Sequence, residues 1–287
     1  MGKNSYFSWA FLFLLGGIVA VGSERIYKAC WWRMRNAAEM ERIHNWDAYI
    51  PENDPTLSRR IGAALLPKAQ ATKLYVTLAV LTRIFDDHGV TWWACGGTLL
   101  GAIRNGGIIP TDDDIDLCVF EKDLPKLEKA RAALKQQGFS LRIQHGGVKI
   151  KSMTHPRDSY QYLGLFVMKE VVREGKHEVV LSSPKAEKIW PTFRFEKKYM
   201  FPLKKVPFGP THVWVPRVPY PHLDKYYKNW NSVMYVWNHG HPFPPFYMTI
   251  TPELRKPAPW CEETFSSGAA AIHTPQTPCG DPRDATP

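Results

Sequence analysis

Hydrophobic and polar residues change rhythm several times along the chain, and each rhythm predicts an element. From Ala69 to Asp87, Leu74, Leu78, Leu81 and Phe85 recur every three or four positions, the period of a helix with one buried face. Val90 to Ala94 is a short apolar run, as a buried strand would be, and Leu117 to Phe120 is another. Between them, Thr98 to Arg104 predicts a helical turn or two. Asp123 to Gln137 is helical again, with Leu124, Leu127 and Leu134 inward and Gly138 as the stop. Phe139 to Gln144 and Val148 to Lys151 alternate polar and apolar, as a hairpin around His145-Gly146-Gly147 would. Gln161 to Met168 predicts a further strand, and Val171 to Val180 a charged surface hairpin. Strands interleaved with helices give an α/β reading: a short mixed sheet flanked by helices.

The two ends of the chain break this pattern. Tyr6 to Val21 is almost uninterrupted apolar sequence, near the short limit for a membrane-spanning helix. It predicts a signal-anchor; a cleaved signal peptide, with small residues at Ala20-Val21-Gly22, and a buried core helix are the alternatives. Glu24 to Asn45 is helical and amphipathic, with Trp31 and Trp32 placed as interface anchors. Pro51, Asn53, Asp54 and Pro55 mark a linker. The expected organisation is a short tail over 1–5, a transmembrane anchor over 6–22, a juxtamembrane helix and linker over 23–60, the main domain over 61–240, and a Pro-rich, largely disordered tail over 241–287.

Charge and cysteines change the picture only a little. The net charge of +10 suits anionic partners such as nucleotides, phosphoglycans or lipid headgroups. No zinc-finger, RRM or helix-turn-helix pattern accompanies it, so nucleic acid is not an expected partner. Five cysteines occur without a CxxC or a Cys/His zinc spacing. Cys95 and Cys118 read as buried thiols, while Cys261 and Cys279 could pair in an oxidising compartment.

The chemistry concentrates between Cys95 and Phe120. Gly96-Gly97 follows the strand ending at Ala94, and glycines at a helix start allow close backbone approach and present N–H groups to an anion. The run Asp112-Asp113-Asp114-Ile115-Asp116 then leads directly into Leu117 to Phe120. Strand periodicity puts Asp112, Asp114 and Asp116 on one face and Asp113 on the other, unless Asp112 still lies in the preceding turn. Like charges on one face repel and are usually spent together on a cation. Carboxylates holding Mg²⁺ or Mn²⁺ suit phosphoryl chemistry, because the metal neutralises phosphate oxygens and the leaving group. A solvated acidic turn is the plainer reading; the abutting strand and the Gly-Gly turn favour a metal–phosphate site.

The stretch from Trp92 to Phe120 resembles the LicD/fukutin family of the nucleotidyltransferase-fold superfamily. The resemblance rests on Gly96-Gly97-Thr98-Leu99-Leu100-Gly101, Arg104, Ile109-Pro110 and the acidic run from Asp112 to Asp116. It extends more loosely over roughly 72–232, through Phe201 to Pro216 and a closing helix over Pro221 to Trp230. It implies a transferase moving a phospho-alcohol, phosphocholine or ribitol phosphate, from a CDP-activated donor to a hydroxyl of a glycan or glycoprotein. On that basis Asp112, Asp114 and Asp116 are the expected metal ligands, with Asp113, Asp114 and Asp116 as catalytic candidates. Gly96, Gly97, Thr98 and Arg104 are expected at the donor phosphate. Lys149 and Lys151, which share a strand face, are either solvated or in contact with the donor's pyrophosphate. The resemblance also implies a Golgi or ER membrane location with a lumenal domain. Arg25, Lys28, Arg33 and Arg35, which follow the apolar run, argue for the opposite orientation.

One position departs from the family pattern. A third acidic residue is expected on the Gln161–Met168 strand, and Gly164 stands there. Asp113 or a histidine would then have to serve the acceptor, or the chain is a non-catalytic, membrane-tethered protein that binds a glycan or a partner. Transfer of a nucleotide instead of a phospho-alcohol is a third reading.

Overall fold

The structure, a computed structural model, describes residues 49–144, 147–153, 162–227, 229–236 and 244–266. The described residues all lie in the compact unit over 48–287. The apolar run over 6–22 and the amphipathic stretch after it therefore lie outside them. Among the described residues no helix is long and apolar enough to cross a membrane.

The unit begins with helices α1 (Leu57–Ala64) and α2 (Lys68–Asp87). The residues whose spacing predicts α2 are its buried stripe: Leu74, Leu78, Leu81 and Phe85 are all at most 2% exposed. Gly89, at φ +64°, turns the chain out of α2. Strand β1 (Trp92–Ala94), helix α3 (Gly96–Arg104) and strand β2 (Ile115–Phe120) follow, and β1 pairs antiparallel with β2. Helix α4 (Leu124–Gln136) leads to the antiparallel hairpin β3 (Phe139–Gln144) and β4 (Gly147–Ser152). The long strand β5 (Tyr162–Arg173) then enters between β2 and β4, parallel to the first and antiparallel to the second. Its far half pairs with β6 (Lys176–Leu181), which pairs in turn with β7 (Arg194–Glu196). The result is a seven-stranded mixed sheet with the central order β1-β2-β5-β4-β3.

Residues paired across strands share a face. Leu117, Val119, Leu163, Leu165, Val148, Ile150 and Leu141 therefore form one continuous buried face. Helix α4 lies against β3 and α2 against α4 on this side, where Leu127, Ala130 and Leu134 complete the core. The opposite face carries Asp116, Cys118 and Phe120 on β2, with Gly164 and Phe166 on β5 and Lys149 and Lys151 on β4.

Beyond the sheet come α5 (Pro184–Ile189), α6 (Lys197–Met200), the hairpin β8 (Lys204–Phe208) and β9 (Thr211–Val215), and α7 (Tyr220–Tyr226). The closing helix is thus shorter than the sequence suggests; the backbone leaves it at Tyr227, which is extended. Strands β10 (Val233–Val236) and β11 (Phe246–Thr249) pair, and α8 spans Glu262–Ser266. The Pro-rich stretch read as a disordered tail therefore contributes folded structure as far as residue 266. Its apolar residues explain this: Met248, Ile250, Leu254, Ala258 and Cys261 are all buried, and Cys261 is disulfide-bonded. The expected linker also joins the folded body, because Tyr49 bridges to Tyr247.

Candidate functional site

The site forms where β1 ends, α3 begins and β2 starts. Cys95 is extended and Gly96 adopts φ +53°, a conformation that favours glycine, so the chain turns sharply from β1 into α3. The Cys95 N–H donates to the Asp116 carbonyl at 3.1 Å, and the Asp116 N–H donates to the Thr98 hydroxyl at 2.9 Å. These two bonds clamp the first residues of β2 to the first turn of α3. Thr98 is buried, so its hydroxyl serves the backbone of the acidic strand.

Three glycines then make room for carboxylates. A Cβ on Gly97 would collide with Oδ2 of Asp112. One on Gly96 would lie 2.7 Å from Oδ2 of Asp116, and one on Gly164 would lie 2.9 Å from Oδ1 of the same residue. The space that the sequence assigns to a donor phosphate at Gly96 and Gly97 is, in this structure, lined by the side chains of Asp112 and Asp116.

Asp112 lies in the turn before the strand, its N–H donating to Ile109 O at 2.9 Å. Its carboxyl is hydrogen-bonded to that of Asp114 and held well above the usual carboxylate range, by burial first and then by the charges of Asp114, Asp116 and Asp113. Asp114 and Asp116 are half-buried, and Asp113 is buried. Among the described residues no three His, Cys, Asp or Glu side chains already surround one point as a metal-ligand set. The donor chemistry nonetheless fits a hard cation. Crowded carboxylates need a proton or a cation between them, and Mg²⁺ takes one or two carboxylates and completes its shell with water and substrate phosphate.

Arg104 closes α3. Its Nε donates to Asn105 Oδ1 at 2.9 Å and its Nη1 to the Trp230 carbonyl at 3.1 Å. Burial pushes its pKa down to about 10; Tyr227 and Asp112 oppose that shift, and Arg255 adds to it. The guanidinium thus lies within electrostatic reach of the acidic cluster while holding the segment after α7. Asn105, itself buried, donates to the carbonyls of Leu254 and Lys256, which ties the C-terminal segment to the loop behind the site.

Lys149 and Lys151 are exposed and lie on the face of Asp116, two strands away. Cys95 and Cys118 are free, buried and in contact, as core thiols. The sequence reading overlooked Tyr227. Burial holds its hydroxyl well above the usual tyrosine range, and Tyr226, Asp116, Asp112 and Cys95 act in the same direction. Its hydroxyl therefore lies within electrostatic reach of the acidic cluster. Its only signal in the sequence was an aromatic in a helix assigned to the core.

Residues 89–218 match the family model described as LicD/FKTN/FKRP, nucleotidyltransferase domain. An uncharacterized protein of Rickettsia prowazekii is 25% identical over 223 residues, which cover 75% of this chain and 77% of that protein. The ribitol 5-phosphate transferase FKRP of Homo sapiens is 40% identical over 57 residues, 20% of this chain and only 12% of that protein. The solved structure of the antibiotic-resistance factor ANT(2'')-Ia aligns with 37% of this chain and 51% of that one. Its identity of 17% and TM-score of 0.26 carry no argument. The glycine turn, the acidic strand and the mixed sheet all lie inside the matched residues, so over residues 89–218 the chain is similar to the LicD/FKTN/FKRP nucleotidyltransferase domain.

Proposed function

We propose that this domain is a metal-dependent phosphotransferase that moves a phospho-alcohol, ribitol phosphate or phosphocholine, from a CDP-activated donor to a glycan hydroxyl. The observation that carries the reading is the crowding of Asp112, Asp114 and Asp116 at the glycine turn that opens α3, on a sheet face that also bears Lys149 and Lys151. Asp114 and Asp116 would hold Mg²⁺ or Mn²⁺, with Asp112 assisting. The cation would neutralise charge on the phosphate oxygens and on the departing CMP. Thr98 keeps Asp116 in place through its backbone, and Arg104 adds positive charge from the far end of α3. Asp113 is buried in the same run and would be the nearest further carboxylate to serve the acceptor hydroxyl. The segment over 6–22 would tether the domain to a Golgi or ER membrane with its site in the lumen.

A second reading, a non-catalytic protein of the same fold that binds a glycan or partner, draws on Gly164. Turnover separates the two. The full-length protein would be incubated with Mg²⁺ or Mn²⁺, a panel of CDP-alcohols and a phosphosugar acceptor, and CMP release followed. Metal-dependent release that disappears in Asp114→Ala/Asp116→Ala supports the transferase. A folded protein that binds CDP but releases no CMP from any donor supports the second reading.

A further inference from the structure

Strand register places four functional positions on one line across the sheet. Asp116 on β2 pairs with Gly164 on β5, Gly164 with Lys149 on β4, and Lys149 with Arg142 on β3. The line reads acid, glycine, base, base, all on one face. Lys149 and Arg142 are exposed, and Asp116 and Gly164 are half-buried. Two strand spacings, about 10 Å of backbone, separate Asp116 from Lys149, within reach of a lysine stem leaning towards a ligand over Gly164. One step further along β5, Phe166 packs against Trp190 and Phe193, so the open part of this face ends there.

Gly164 is the position where the family pattern leads one to expect a carboxylate, and its surroundings bear on why a glycine stands there. The Asp116 carboxylate lies between two glycines, Oδ1 against Gly164 and Oδ2 against Gly96. A Cβ at either position would come closer than 3.0 Å to an oxygen, a separation that real Cβ atoms essentially never show. With Gly96 committed to the turn by its positive φ, a side chain at 164 would displace Asp116.

We propose that Gly164 is a positioning residue. It leaves the Asp116 carboxylate the space that carboxylate fills, and it puts no side chain between Asp116 and Lys149. The row thereby seats two adjacent anionic groups of one ligand, a metal-held phosphate at Asp116 and its neighbouring phosphate at Lys149. The ligand class is a nucleoside diphosphate or its ester, and the inference rests on the phosphotransferase reading above. On the opposite view Gly164 marks a lost acid, and restoring it would restore function. The two views differ in sign.

The test is calorimetric titration of the full-length protein with CDP and with CMP at fixed Mn²⁺. Lys149→Gln is expected to weaken CDP about tenfold, the loss of one charge-assisted hydrogen bond, and to change CMP by less than about twofold. Lys149→Arg should keep most of the CDP affinity, a rescue that a purely structural role would not give. Gly164→Ala and Gly164→Asp should each weaken both nucleotides about tenfold while unfolding as cooperatively as the wild type. Equal effects of Lys149→Gln on CDP and CMP, or a Gly164→Asp protein that binds as well as wild type, overturn the inference while leaving the phosphotransferase reading in place. Wild-type protein that binds neither nucleotide overturns both. Gly164 variants that do not fold would overturn the positioning role, because the glycine would then serve the fold, while Lys149→Gln at its exposed position still tests the second phosphate contact.

Discussion

On one face of the central sheet, Leu117, Leu163, Leu165, Val148 and Ile150 meet beneath α4 and are at most 2% exposed. On the other, neighbouring residues of the same strands present Asp116, Gly164 and Lys149. Every strand that lines the site therefore also anchors the core, and the two roles alternate residue by residue. The difference teaches where each kind of free energy lies. The apolar face supplies burial, about 25 cal/mol for each Å² removed from water. The site face tolerates grouped carboxylates, a glycine and exposed lysines, none of which stabilises a fold. A rigid backbone fixed from one side is what allows like charges to be held together on the other.

The sharpest way to test this division is to remove charge from the site face. On the proposed phosphotransferase reading, Asp114→Ala/Asp116→Ala is expected to lower CMP release by about 1,000-fold or more, because a metal held there would supply several kcal/mol of transition-state stabilisation. Its melting temperature should equal or exceed that of the wild type, since repulsion has been relieved. A large drop in melting temperature would mean the carboxylates also hold the fold.

Truncation on the other face should do the reverse. Leu165→Ala, one residue from Gly164, is expected to cost about 3 kcal/mol in urea unfolding, with turnover per folded molecule nearly unchanged. A selective loss of turnover at full stability would break the comparison.

Where the site face leaves the acidic row it becomes an aromatic layer. Phe193 touches Phe166, and His222 stacks on Phe195 at 3.9 Å and faces Tyr226. The His222 Nδ1–H donates to the Arg194 carbonyl at 3.0 Å, and Nε2 is buried without a partner. Burial holds the pKa of His222 down to about 4, from an ordinary 6.5. The unfolded chain therefore takes up a proton that the folded protein resists. This contribution to stability is complete above about pH 6.5 and is lost as pH falls towards 4, on the order of 3 kcal/mol in all. Unfolding midpoints at pH 7.5, 6 and 5 should fall more steeply for wild type than for His222→Phe. Parallel pH profiles would contradict the buried, neutral imidazole.

The smallest effect belongs to the bond that joins the two systems. Thr98→Val removes the acceptor of the Asp116 N–H and should destabilise by about 1–2 kcal/mol. It should also raise the metal concentration needed for half-maximal turnover, which a substitution remote from the site would leave alone.

Much of this was legible in the sequence because it is local. The period of Leu74, Leu78, Leu81 and Phe85 shows in a window of a dozen residues, and so does the alternation of β3 and β4. The acidic run at the mouth of a strand, the Gly-Gly turn before it and the departure at Gly164 are equally readable, as is the family they resemble. What the sequence could not say is which strand lies beside which. Only the fold inserts β5 between β2 and β4, and so sets Gly164 directly against Asp116 on one side and Lys149 on the other. Only the fold brings Tyr227 within electrostatic reach of the carboxylates and carries the Pro-rich segment back to cover Tyr75, whose hydroxyl accepts from the Ile108 N–H at 2.9 Å. The physical reason is the same in each case. Periodicity is written in neighbouring residues, whereas register and docking are settled by burial of side chains far apart in the chain.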